Sequence, residues 1–396
     1  MDKLKQKILV VEGRTTIGGG QMMTRQIIDS LKQDYCVELL CPVIVSDAFD
    51  TMFGDVPIWQ FKQKNYNLGR KSFSDYFYFL YNFIVPLLQI YGIVRRGKYE
   101  LVYVQHPRMI PVTAFICLFV KCPIIVHIHV VHTNKWVRRF VNSLIKLHSV
   151  KKVIGVSDYS LQQFKGIDHK KLVVYNCVRP LSFRHYSMLD VHSRIQCSVN
   201  ADIFPAKNQH LLCKSILKLP NHSDYSVYFA GNVIDKSYLG GILNEFKELD
   251  LKVCGCIDDM DSFLENIDVV IVVSSGFETF SLSMVECWSK GVLCIASRVG
   301  GMKELVQRFA PHYSHCLLFT PHDSEDLARK IQSVMTLSCE EKNKIVEDLH
   351  QIYLKYFSKE GKESFSSSRA IYIAICLGMT TFLGRDLPKT CSFFTL

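Results

Sequence analysis

The 396-residue chain has no run of about 18 uninterrupted apolar residues, so no helix is expected to span a membrane. The nearest approach, Tyr76 to Val94, is broken by Asn82, Pro86 and Gln89 and stops at Arg95-Arg96. The apolar residues Ile8–Val11 are too few for the core of a secretory leader and suit a buried first strand. Cys-x-x-Cys is absent, although the chain has 15 cysteines. They are scattered and odd in number, and several, such as Cys117, Cys294 and Cys376, sit in apolar runs. That pattern argues against a disulfide framework and predicts reduced thiols in a cytoplasmic protein. Cys254-Gly-Cys256, the tightest pair, reads as a strand end. No block of five or six basic residues occurs, and no zinc-finger or RNA-binding signature, so nucleic acid is not an expected partner. Internal repeats, low-complexity tracts, a Walker A loop and Gly-x-Gly-x-x-Gly are likewise missing.

What is present is an ordinary globular balance, 48% hydrophobic and 21% charged, in a length that suggests two domains. The formal net charge of +10 suits an anionic substrate or an anionic membrane surface. Short apolar strands alternate with helical stretches. Strands are expected at Ile8–Val11, Val37–Leu40, Leu101–Val104, Ile124–Ile128, Val153–Val156 and Leu172–Tyr175. Between them lie helical segments at Thr24–Leu31, Tyr76–Arg96, Val112–Val120, Phe140–Leu147 and Leu161–Phe164. Pro180 to His192, of mixed charge and no clear period, reads as a linker. A second series has strands at Arg194–Val199, Ser226–Phe229, Lys252–Cys254, Val269–Val273, Val292–Ala296 and Leu317–Phe319. Its helices are His210–Leu217, Leu239–Lys247, Met260–Asn266, the segment around Glu286, and Ser324–Met335. Such alternation predicts an α/β protein with two doubly wound, mostly parallel sheets. Tandem sheets of this kind place ligands at the carboxyl ends of their strands, facing a shared central cleft. The tail after about Lys359 has little pattern.

The segment Gly276-Phe-Glu-Thr-Phe-Ser-Leu-Ser-Met-Val-Glu286 stands at one strand-to-helix corner. It presents Glu278 in the turn and Glu286 about two turns into the helix. Carboxylates accept hydrogen bonds from pairs of sugar hydroxyls, and a helix start favours phosphate. Lys290-Gly291, Arg298 and Gly300-Gly301-x-x-Glu304 follow. Together these residues resemble the nucleotide-sugar site of the family-4 retaining glycosyltransferases, which have the GT-B fold. The resemblance spans roughly residues 5–335 and is specific in the C-terminal half.

The resemblance implies two Rossmann-like domains: 1–186 on the acceptor side, with a tail of about 360–396 packing back onto it through Arg369–Leu377, and 187–359 on the donor side. Glu278 would contact the donor sugar and Glu286 the ribose hydroxyls. Lys207, between a strand and a helix, would meet the diphosphate as a point charge. The family's arginine five residues earlier is Asp202 here, which implies either phosphate binding by another cation, such as Arg298, or weakened catalysis. The residue after Phe280, usually glycine, is Ser281; Phe280, Ser281 and Leu282 would line the donor. The loop Gly18-Gly19-Gly20 would turn backbone amides to the cleft; a tight turn is the plainer account. His129, at the end of Ile124–Ile128, would touch the donor sugar. With His127 and His132 it also admits a metal reading, but no carboxylate or cysteine completes the set and none is expected. Asp258-Asp-Met-Asp261 reads as helix capping. Gly155-Val-Ser157-Asp158 and Asn176 match the family's interdomain-facing segment, with Cys177 where a glycine usually stands. The aromatic stretch Phe73–Phe83, with Arg95, Arg96 and Lys98, could rest on a membrane or be buried against the sheet.

The expected function is transfer of a sugar, with retention, from a UDP- or GDP-sugar to a glycan or lipid-linked acceptor in cell-surface polysaccharide or glycolipid synthesis. No cofactor is implied, and the setting would be cytoplasmic, peripheral on the inner face of the membrane. Two rivals stand beside it: a non-catalytic GT-B partner of another transferase, suggested by Asp202 and Ser281, and a sugar-nucleotide epimerase.

Overall fold

The computed structural model describes residues 5–15, 17–44, 46–64, 73–187, 194–359 and 361. Side chains at 73–76, 79 and 80 lie outside the description, as do the proposed tail helix Arg369–Leu377 and residues 188–192 of the linker. Seven strands form the first sheet: β1 (Lys7–Val11), β2 (Cys36–Pro42), β3 (Ile58–Phe61), β4 (Leu101–Val104), β5 (Ile124–Ile128), β6 (Val150–Gly155) and β7 (Lys171–Val173). Their order is β3-β2-β1-β4-β5-β6-β7, and every pairing is parallel. The second sheet comprises β8 (Ile195–Asn200), β9 (Tyr225–Ala230), β10 (Asp250–Gly255), β11 (Val269–Val272), β12 (Leu293–Ser297) and β13 (Leu318–Phe319). It is parallel too, in the order β10-β9-β8-β11-β12-β13.

Parallel strands are covered on both faces, which is why they read as unbroken apolar runs such as Leu101–Val104 and Val269–Val272. In the first sheet, helices Gly19–Lys32 and Asp47–Phe53 close one face with Ile28, Leu31, Phe49 and Phe53. Helices Phe73–Gly97, Ile110–Val120 and Lys135–Ile145 close the other with Ile90, Val94, Ile116, Val141 and Ile145. Pro86 sits inside the first of these three rather than ending it. Elements with no counterpart in the sequence reading include Asp47–Phe53, β3, Gly300–Phe309 and the 18-residue helix Cys339–Tyr356. No helix among the described residues is long and apolar enough to cross a membrane.

The stretch read as a linker is packed, not free. Leu181 and Tyr186 are buried in the C-terminal core. Leu181 N donates to Ser289 Oγ at 2.9 Å, Arg184 N to Lys290 O at 2.8 Å, and Tyr186 Oη to Asp268 O at 2.6 Å. Asp259, with its side chain on Asp261 N and Ser262 N at 3.1 Å, is the cap of helix Met260–Glu265. Asp261 has another task. With Glu265 it pairs with Lys290, whose side chain is only 2% exposed, and so fixes the end of the helix that bears Glu286.

Candidate functional site

Strand order reverses between β1 and β4 in one sheet and between β8 and β11 in the other. Chains leaving these strands diverge to opposite sides, and a crevice opens at their carboxyl ends. The two crevices face each other across a cavity of about 400 Å³. Its walls include Gly18, Gly19, Gly20, His129 and Asn176 from the first half, and Asn200, Asp202, Lys207, Asn232, Glu278, Phe280, Ser281 and Leu282 from the second.

The loop after β11 is held from behind. Gly300 has φ +50°, and a Cβ there would stand 2.2 Å from Glu278 O. A Cβ on Gly301 would stand 2.0 Å from Thr279 O, while Gly301 N donates to Glu278 O at 2.8 Å. The glycine pair is therefore needed so that helix Gly300–Phe309 can carry the Glu278 turn on its backbone. Ser281, at φ −99°, requires no glycine-like conformation, and its Oγ accepts from Met284 N at 3.2 Å as the cap of helix Leu282–Lys290. The serine that replaces the expected glycine is thus a helix start, not an obstruction.

Glu278 and Lys207 meet directly. Lys207 Nζ donates to Glu278 Oε2 at 2.6 Å, and Ser274 Oγ donates to the same oxygen at 3.0 Å. Both side chains are about three-quarters buried, at 27% and 21% exposed. Lys207 reaches the cavity from the turn Pro205–Lys207, between β8 and helix Gln209–Leu217. Asp202 also lines the cavity; its Oδ1 accepts from Asn232 N and Nδ2, each at 3.3 Å. The walls therefore carry one lysine against two carboxylates, and the lysine is already paired. A diphosphate entering here would have to take Lys207 from Glu278 and draw its remaining stabilisation from backbone.

Backbone is what the opposite wall offers. Gly18 is the cap of the 14-residue helix Gly19–Lys32, and no side chain caps it. None of the three glycines has a positive φ. The tight-turn account therefore does not explain them, whereas an open helix N-terminus on the cavity wall is suited to an anion. Gly19 approaches the other domain: a Cβ on it would stand 3.0 Å from Leu282 Cδ1. Upstream, Glu12 is 2% exposed and accepts from Gly13 N at 2.8 Å and Thr24 Oγ1 at 2.7 Å, which fixes the loop to the helix behind it. Burial raises its pKa.

His129 Nε2 forms a hydrogen bond with the Gln105 side-chain amide at 2.8 Å. Burial lowers its pKa to about 4, and the ring is neutral at pH 7. Its backbone oxygen accepts from Thr279 Oγ1 at 2.6 Å, which joins β5 to the Glu278 turn. Among the described residues no group of three or more metal-ligating side chains occurs.

Two expected residues stay off the cavity wall. Arg298 is exposed beyond β12, with its backbone N on Phe319 O at 2.9 Å, one strand removed from the β8/β11 reversal. Glu286 lies a turn beyond Leu282, half-buried, with no hydrogen-bond partner among the described residues. Burial raises its pKa against the opposing charge of Arg179.

Sequence reading missed the clasp between the halves. Glu304 Oε1 accepts from Asp158 N at 2.9 Å and Tyr175 Oη at 2.7 Å, and its Oε2 accepts from Tyr159 N at 2.8 Å. Arg308 reaches Asp158 at 2.5 Å. The signal was present in Gly300-Gly301-x-x-Glu304 and Gly155-Val-Ser157-Asp158, but only the fold shows that the two motifs face each other.

Residues 194–349 match the family model described as Glycosyl transferases group 1. Solved structures match across nearly the whole chain. Anabaena HepE in complex with UDP-glucose has a TM-score of 0.75 at 18% identity, covering 93% of this chain and 99% of that one. The chain has the GT-B fold. A glycosyltransferase from Rickettsia africae shares this GT-B architecture at TM-score 0.70 and 16% identity, over 94% of this chain and 99% of that one. Sucrose-phosphate synthase from Thermosynechococcus elongatus gives 0.70 at 13% identity, over 95% and 100%. No curated protein matches the sequence.

Proposed function

We propose that the protein is a glycosyltransferase that takes a sugar from UDP-sugar in the second domain and passes it to a hydroxyl acceptor held by the first. The observation that carries this reading is the Lys207–Glu278 pair at 2.6 Å, placed where the second sheet reverses, on the cavity it shares with the first. Breaking the anomeric C–O bond leaves charge on the diphosphate and oxocarbenium character on the sugar. Lys207 and the open start of helix Gly19–Lys32 answer the first. Once released from Lys207, Glu278 accepts from sugar hydroxyls, and Glu286, one helical turn behind Ser283 of the wall, accepts from the ribose. The match of residues 194–349 to group 1 glycosyltransferases and the UDP-glucose bound by Anabaena HepE support uridine as the base. The acceptor oxygen forms its bond to the anomeric carbon on the face from which the diphosphate leaves, giving retention without a metal. A lipid-linked or glycan acceptor, used in a cytoplasmic setting in cell-surface glycan synthesis, fits the basic charge of the acceptor-side domain.

Saturation-transfer NMR with UDP-glucose, GDP-mannose and ADP-glucose tests the reading. Signals from both uracil and sugar protons of the UDP donor, absent with Lys207→Ala, are expected. A folded protein that contacts none of the three donors would overturn it in favour of a non-catalytic GT-B partner.

A further inference from the structure

Charge is distributed very unevenly along this chain. Residues 76–157 hold eleven Lys and Arg against one acid, Glu100, a net of +10. The whole chain is also +10, so everything outside this segment sums to zero. The segment contains most of helix Phe73–Gly97 and all of helices Ile110–Val120 and Lys135–Ile145, which form one layer over one face of the first sheet.

The outer side of that layer is apolar. On the first helix Phe77, Ile84, Leu88 and Tyr91 are exposed at offsets of 7, 11 and 14 residues from Phe77, which fall on one stripe, and Arg95 continues it. Leu88 is 70% exposed, Phe119 on the middle helix 65%, and Trp136 on the third 75%. Phe83 and Phe115 carry the surface from the first helix to the second, with ring centroids 6.4 Å apart. On the third helix, Arg139 lies 5.5 Å from the Trp136 ring, and Lys135 and Arg138 flank it with no acid between.

We propose that this three-helix face docks the protein on an anionic lipid bilayer. A large exposed apolar patch marks an interaction surface. A rim of one sign selects a partner of the opposite sign, and exposed aromatics beside Lys and Arg are the side chains that enter a lipid interface while their cations meet headgroups. A second copy of this chain presenting the same face would be met by uncompensated positive charge. The docking is interfacial, since no helix among the described residues is long and apolar enough to cross. Position gives it a use. Trp136 follows His129, on the cavity wall, by seven residues, so a short stretch of chain links that wall to the start of the docking helix Lys135–Ile145. A hydroxyl acceptor anchored in the bilayer would be presented to the acceptor-side wall. The docking itself does not depend on the donor chemistry.

Flotation of the full chain with vesicles of phosphatidylcholine alone, or with about a third phosphatidylglycerol, tests the proposal. Binding to the anionic vesicles only, weakened by 0.5 M salt, is expected. Arg138→Gln with Arg139→Gln should reduce it about tenfold, and Phe119→Ser with Trp136→Ser by a similar factor. These are surface changes, so each variant should melt as the wild type does. A folded chain inert towards anionic vesicles overturns the proposal, whether a second copy or the segment after Gly361 covers the face. Equal binding by wild type and both variants overturns it as well.

Discussion

In the first sheet the strand order turns between β1 and β4, and in the second between β8 and β11, yet the two turns present different chemistry to the same cavity. After β1 the chain offers backbone, Gly18 to Gly20 at an uncapped helix start. After β8 and β11 it offers side-chain charge, Lys207 and Glu278. The outer faces differ in the opposite sense. The segment 76–157, which supplies the helix layer over one face of the first sheet and three of its strands, carries a net charge of +10, and the rest of the chain balances. One wiring plan thus serves a wall lined by backbone at a helix start and a wall lined by charged side chains.

The largest expected break in that comparison is Lys207→Ala. It removes the cavity's one lysine and leaves Glu278 unpaired beside the diphosphate. kcat/KM for the UDP-sugar should fall about a thousandfold, near 4 kcal/mol, with little change in melting temperature.

The next effect concerns pH. The folded pKa of His129, about 4, lies below the ordinary imidazole value, so the unfolded chain takes up the proton first. The stability this residue contributes is complete above about pH 6.5 and is lost as pH falls towards 4, up to about 3 kcal/mol. Denaturant unfolding at pH 7 and pH 4.5 should show a steeper loss in wild type than in His129→Gln. Equal slopes would mean that the ring is already protonated or well solvated.

Glu304→Ala cuts three hydrogen bonds between the halves, which should raise KM and loosen closure at a cost of about 2 kcal/mol. Small-angle scattering should show a larger radius of gyration while the secondary structure is unchanged. The smallest effect sharpens the charge asymmetry. Asp202→Arg replaces an acid that faces the cavity with a base and should tighten UDP about tenfold, near 1.4 kcal/mol. Unchanged affinity would place the diphosphate away from Asp202.

The alternation of apolar strands and helices made both sheets legible, because parallel strands buried on two faces leave continuous runs such as Ile124–Ile128. Helix Asp47–Phe53 and β3 were not legible. The strand has four residues, two of them exposed, and so gives little hydrophobic signal. Glu278 and Lys207 could be found because spacing fixes what a strand-to-helix corner displays. Their pairing could not, since it joins positions 71 residues apart. Arg298 was misplaced on the wall because sequence distance from Glu278 says nothing about which strand end faces the cavity. Phe73–Phe83 reads from sequence as either membrane-resting or buried against the sheet, whereas the two most exposed rings of the proposed docking face, Trp136 and Phe119, stand on the neighbouring helices.

Calorimetric titration of UDP into wild type, Lys207→Ala and Glu278→Gln is the most direct test of the shared-cation site. UDP carries the diphosphate but no sugar, so Glu278 competes for Lys207 without a ligand of its own. Micromolar binding by wild type, loss in Lys207→Ala and tighter binding in Glu278→Gln are predicted. UDP binding by Lys207→Ala equal to that of wild type would contradict the account.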